Sequence, residues 1–301
     1  MVSKVLLFIA LTLSILPGET SQKKAATHDL SELVFGNDTW TLDAAALEKQ
    51  IQPWGFEWLS KRKDAARAES KTKLTLGSIR LGESIIRLKS GRAHKIDIFC
   101  YNRGDDGHIS REDFEGLIEQ IKNLVSTKTG VRPNEEGRQY KSVVGASRIS
   151  WSTPQTAFRL EFSRKRSKET RGKNFQGEFI RLRVAHAGKP IKASERFTRR
   201  NAQPKSRMEL AKSVRREKNG DVWITGVPMV DQGEKGYCAV ASAERVLRYY
   251  GLEVDQHEMA QISNASVRGT NIDVMSEALK RVALTLNVKI QDLYSLFEER
   301  A

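Results

Sequence analysis

A glutamine and a cysteine six residues apart, Gln232 and Cys238, carry the clearest chemistry in this sequence. They lie in VPMVDQGEKGYCAVASAERVLRYYG, Val227 to Gly251, with Gly233 and Gly236 between them. After Cys238, apolar residues recur at Val240, Ala243, Val246, Leu247 and Tyr250, a helical spacing, and Gly251 stands where a helix would stop. The spacing therefore predicts that Cys238 opens a helix. Unpaired N–H groups and the positive end of the helix dipole favour a thiolate at such a position, and the thiolate is the nucleophilic form of the side chain. The same donors, joined by a glutamine amide, can hold the oxyanion that forms when a thiolate attacks an amide carbonyl. The plain alternative is that Cys238 is a small buried hydrophobe at a helix start.

The segment resembles the active-site stretch of papain-like cysteine peptidases, and most closely that of the bacteriocin-processing-like peptidase family, cysteine peptidase family thirty-nine. A second stretch, GTNIDVMSEALKRV from Gly269 to Val282, resembles the helix that follows the active-site helix in these domains. Together the resembling stretches run from about Val222 to Ile290, under a third of the chain. The resemblance implies Gln232 as the oxyanion residue, Cys238 as the nucleophile and a peptide or protein substrate, with no cofactor and no metal. It also implies a histidine base on a strand well downstream, oriented by Asp or Asn. Only His257 follows Cys238. It falls in DQHEMAQI, where Asp255 and Glu258 have capping-box spacing, so it reads as a solvated residue in the first turn of a short helix rather than as a base. A capped helix from about Asn271 to Ala283, a strand-like LTLNVKI and the first turns of a helix, DLYSLFEERA, come next. On the resemblance, the peptidase domain is incomplete at Ala301 and its base is expected beyond that residue. Two functions stay open: peptide hydrolysis through the Cys238 thiolate, or a catalytically inactive peptidase-like module that binds an envelope polymer or a protein partner.

Such a site needs a scaffold, and 301 residues provide for about two domains plus a targeting segment. Met1 to about Ser21 places Lys4 before the apolar run VLLFIALTLSIL and then Pro17-Gly18 with small residues, the layout of a secretory signal peptide, too short to span a bilayer stably. The expected location is therefore secreted or periplasmic, with no membrane span after signal removal. Cys100 and Cys238 are the only cysteines, and they fall in separate predicted domains, so two free thiols are expected rather than a bridge.

The expected fold class is α+β: an N-terminal antiparallel sheet with helices, residues 28–187, followed by a partial papain-like domain, residues 221–301. Alternating patterns predict strands in TLGSIRLGES, SIIRLKSG, HKIDIFCYN, SRISWS, AFRLEFSRK and EFIRLRVAH. LDAAALEKQI and REDFEGLIEQIKNLV read as amphipathic helices packed on one side of the sheet, and Trp40, Trp54, Phe56 and Trp58 read as core. Asn102 to Asp113, NRGDDGHISRED, mimics a calcium loop but lacks a third-position ligand at Gly104; a strand-to-helix turn capped by Ser110 is the favoured reading. His108 is expected to be exposed there, and His186 ends a strand.

Residues 188–220 read as a basic linker. Gly188 to Lys218 holds eleven Lys and Arg against three Glu, which supplies +8 of the chain's formal +14. That charge supports nonspecific polyanion contact, but no nucleic-acid motif accompanies it, so no specific nucleic acid is expected. The sequence has no internal repeat, no glycine-rich phosphate loop and no zinc-type Cys/His spacing.

Overall fold

The computed structural model describes residues 27–136, 146–165, 175–187, 205–230, 232, 236–252, 256–265, 269–286 and 289–290. The segment read as a signal peptide, residues 188–204 of the basic linker, Asp255 and DLYSLFEERA lie outside the described residues. No helix among the described residues is long and apolar enough to cross a membrane.

The architecture is mixed α+β. The chain begins with β1 (His28–Asp29), α1 (Ser31–Phe35), α2 (Ala44–Ile51), β2 (Glu57–Trp58), β3 (Ala65–Ala68), β4 (Leu74–Leu76) and β5 (Ile79–Arg80). It continues through β6 (Glu83–Lys89), β7 (Arg92–Asn102), α3 (Arg103–Asp106), α4 (Arg111–Thr129), β8 (Asn134–Glu136), β9 (Ser147–Ser152), β10 (Thr156–Lys165) and β11 (Gln176–His186). Beyond the basic stretch come α5 (Arg207–Ala211), β12 (Val214–Arg216), β13 (Val222–Ile224), α6 (Cys238–Tyr249), α7 (Gln256–Ile262) and α8 (Ile272–Leu286).

Eight strands form one antiparallel sheet in the order β2-β3-β6-β7-β11-β10-β9-β8. Its two faces follow from the period of two along each strand. Ile180, Leu182 and Val184 of β11 point to one face, with Ile96 and Ile98 of β7 and Phe158 and Leu160 of β10 beside them. Helices α1, α2 and α4 cover this face. Helix α4 forms because Ser110 accepts from the Asp113 N–H, Gly130 takes a left-handed φ of 69° past its end, and Phe114, Ile118, Ile121 and Val125 share one buried stripe. Burying each of those four side chains contributes about 2 kcal/mol.

The opposite face is charged and also buried, whereas helices on one side only would leave it open to water. Glu161 lies 2.9 Å from Arg181, 3.3 Å from Arg148 and 3.3 Å from Arg183. Asp97 lies 3.2 Å from Lys95 and 3.3 Å from Arg183, and Arg67 meets Glu83 at 2.7 Å. Burial alone would raise the carboxyl of Glu161, but Arg183, Arg181, Arg148 and Arg159 outweigh it and hold the group at about 2. Asp97 is lowered in the same way, burial being overcome by Lys95, Arg183 and Arg87. Arg181 adds cation–π contacts to Phe99 and Phe179.

Several expectations change. TLGSIRLGES is not one strand: Gly77, with φ of 60°, turns the chain between β4 and β5. LTLNVKI is not a strand where described, since α8 continues through Leu286; over the three residues shared with the helix, an apolar-polar-apolar order fits either period. The end of the basic stretch is not a bare linker either. Ser206 and Glu209 form a capping box on α5, and β12 pairs with β13 as a hairpin that leaves Val222, Trp223 and Ile224 exposed. Ser110 caps α4 as read, and Trp40 and Phe56 are buried with Trp54 and Trp58 packed against the core.

Candidate functional site

Cys238 is the first residue of α6 and is exposed. Helix α6 buries Val240, Ala243 and Leu247 against α7 and α8, as its spacing predicts, but Val246 and Tyr250 face solvent and Ala241, Glu244 and Tyr249 are buried instead. Gly251, with φ of 86°, ends the helix. The first turn has no side-chain cap, because the residue in the capping position is Tyr237 and its phenol points elsewhere. Gln232 lies in the loop before the helix and is half-buried. That loop is fastened to α6 where Arg245 Nε donates to the Pro228 carbonyl at 3.1 Å.

Tyr237 is fully buried. Its hydroxyl donates to Asn102 Oδ1 at 3.3 Å and accepts from Asn102 Nδ2 at 3.0 Å, so the turn before Cys238 is attached to the end of β7. Asn102 is itself held from several directions. Its backbone N–H donates to Asp106 Oδ2 at 2.8 Å, its Oδ1 accepts from the Gly104 N–H, and its Nδ2 reaches Asp105 Oδ2 at 3.0 Å and His257 Nδ1 at 3.1 Å. Burial pushes the Tyr237 hydroxyl well above the usual tyrosine range, with the Asp105 charge adding to it, so it stays a neutral donor. Gly104 is required by this contact: a Cβ there would lie 2.9 Å from Tyr237 Cζ and closer still to the hydroxyl oxygen.

His257 is not the solvated residue that its sequence suggests. It is 5% exposed, packed against Phe99 in a tilted arrangement at 4.0 Å between ring centroids, with Nδ1 toward Asn102 and Nε2 3.6 Å from Glu83 Oε2. The whole turn Gln256 to Ala260 is buried, because α7 covers the end of the charged sheet face. Gln261 donates to Ser163 at 2.9 Å, and Arg103 binds both Glu178 and Asn264, which completes a seam between the sheet and the C-terminal helices. Nothing local in DQHEMAQI announces this; the partners lie 155 and more residues away.

The remaining candidates are dispersed. His186 packs edge-on against Trp40. The pairing of Ala185 with Lys95 and of Phe179 with Asn102 puts His186 about 23 Å along the sheet from the Tyr237 seam. His108 is exposed, as read, and the Asn102, Asp105 and Asp106 side chains of the calcium-like loop are engaged with protein groups. All five histidines lie among the described residues, and none is hydrogen-bonded to the Cys238 sulfur, which has no partner there. Cys100 is buried in β7, and both cysteines are free, as expected. Burial, with the Asp106 charge, pushes the Cys100 thiol up to about 12. Among the described residues, no cluster of His, Cys, Asp or Glu is placed to hold a metal ion. No protein-family model matches the chain, and no curated protein and no solved structure matches it.

Proposed function

We propose that the chain carries the nucleophile and oxyanion half of a papain-like cysteine peptidase site, acting outside the cytoplasm, with Cys238 as nucleophile and Gln232 as oxyanion donor. The observation that carries this reading is the exposed thiol on the first turn of a 12-residue helix whose capping residue, Tyr237, makes no side-chain hydrogen bond to that turn. The first-turn N–H groups of a helix are donors suited to meeting a negative charge. In the proposed step the thiol gives up its proton, the sulfur forms a C–S bond to the peptide carbonyl, and the π pair moves to oxygen. The Gln232 amide and the Cys238 backbone N–H hold that oxygen; collapse breaks the C–N bond, and the amine leaves with a proton. Among the described residues none of the five histidines is hydrogen-bonded to the Cys238 sulfur; His257 is buried with Nδ1 3.1 Å from Asn102 Nδ2 and Nε2 3.6 Å from Glu83.

That same observation favours a second reading, a peptidase-like module that binds a partner without cleaving it. Iodoacetamide labelling near pH 7 tests the first reading. Cys238 is expected to react about tenfold faster than glutathione, while Cys100 stays unlabelled until the protein is denatured. Labelling of Cys238 no faster than glutathione would remove the nucleophile. Fast labelling combined with no hydrolysis across a peptide library, and with retention of a partner on pull-down, would select the binding module.

A further inference from the structure

We infer that Asn102 is a positioning residue for Cys238, acting through Tyr237, so that the N-terminal sheet holds the nucleophile's turn in place. The inference rests on the reading of Cys238 as a nucleophile and supplies a role for the sheet domain in that chemistry. The Tyr237 carbonyl accepts the first helical bond of α6, from the Ala241 N–H at 2.7 Å, so the placement of Tyr237 sets where the helix begins. Its side chain is fixed by a group 135 residues upstream, not by its own helix. A phenol pulled toward the sheet places no cap of its own on the first turn of α6, whose N–H groups are the donors an oxyanion site needs.

Asn102 suits this task because it is nearly inaccessible and its amide is oriented from both ends. Gly104 N–H and the Tyr237 hydroxyl donate to Oδ1, while Nδ2 shares its two hydrogens among Asp105, Tyr237 and His257, all within 3.1 Å. The absence of a Cβ at residue 104 makes room for the phenol. A strand end, a one-turn helix and α7 thus converge on one hydroxyl, and that hydroxyl sits one residue from the sulfur.

The test uses the full chain and compares Asn102→Leu and Tyr237→Phe with the unmodified protein in the pH–rate profile for iodoacetamide at Cys238. Tyr237→Phe keeps the ring and removes only the hydroxyl, so it remains informative if Asn102→Leu fails to fold. Loss of positioning is expected to lower the labelling rate of Cys238 at pH 7 by about threefold, a modest part of what a helix N-terminus contributes to thiol reactivity. The expected result is that fall, with the profile displaced to alkaline pH in both variants while circular dichroism is unchanged. Variant profiles that overlie a fast unmodified protein would overturn the positioning role and leave the nucleophile standing. An unmodified Cys238 no faster than glutathione would overturn both.

Discussion

Glu161→Ala is expected to cost the protein about 3–5 kcal/mol of folding stability, because it leaves Arg148, Arg181 and Arg183 in a buried face without their shared carboxylate. Chemical denaturation at pH 7 measures the loss. A change of less than about 1 kcal/mol would mean that the face is wetter than its burial indicates. The acid limb gives an independent check. Glu161 falls from an ordinary value of 4.5 to about 2 in the folded protein, so its contribution is fully present above pH 4.5 and disappears as pH drops toward 2. That shift corresponds to about 3 kcal/mol. Asp97 acts in the same direction. Glu161→Gln should therefore lose less stability than the unmodified protein between pH 5 and pH 2; parallel acid limbs would contradict the assignment.

The second large effect comes from a single methyl group. Gly104→Ala puts a Cβ into the buried Tyr237 ring, where neither the fully buried phenol nor the β7 end can withdraw easily. Overpacking of this kind costs about 1–3 kcal/mol, and displacement of the phenol breaks its bonds to Asn102 as well. Gly116→Ala is the matched control. It lies on an exposed side of α4 with nothing within 4 Å of an added Cβ, so the same substitution should stabilise by about 0.5–1 kcal/mol through helix propensity. Thermal unfolding of the two variants should move in opposite directions. Equal shifts would show that Tyr237 does not occupy the space above Gly104.

Much of the sheet domain is legible in the chain because its signals are local. Ser110 and Gly130 bracket α4, and the alternation in EFIRLRVAH gives both β11 and its faces. The fate of the second face is not legible. Arg181 and Arg183 at alternate positions read as a solvated side until the registers with Glu161 and Asp97 are known, and those partners come from other strands. The same limit hid His257: a polar seven-residue helix has no periodic signature of burial, and tertiary packing decides it. Cys238 at a helix start, Gln232 in the preceding loop and the stop at Gly251 follow from spacing alone. Tyr237 was the residue to notice, a bulky aromatic in a capping position that ordinarily belongs to Ser, Thr, Asp or Asn.

The bond between Asn102 and Tyr237 also makes the C-terminal helices specific to this sheet. Exchange of the C-terminal helices onto another sheet would strand a hydroxyl inside the seam, at about 1–3 kcal/mol, unless an amide came with them. The two positions are energetically coupled for the same reason: a leucine at position 102 leaves the phenol unpaired, and a phenylalanine at position 237 would relieve that cost. The two halves, though separated by a strongly cationic connection, are thus tied energetically through one buried bond.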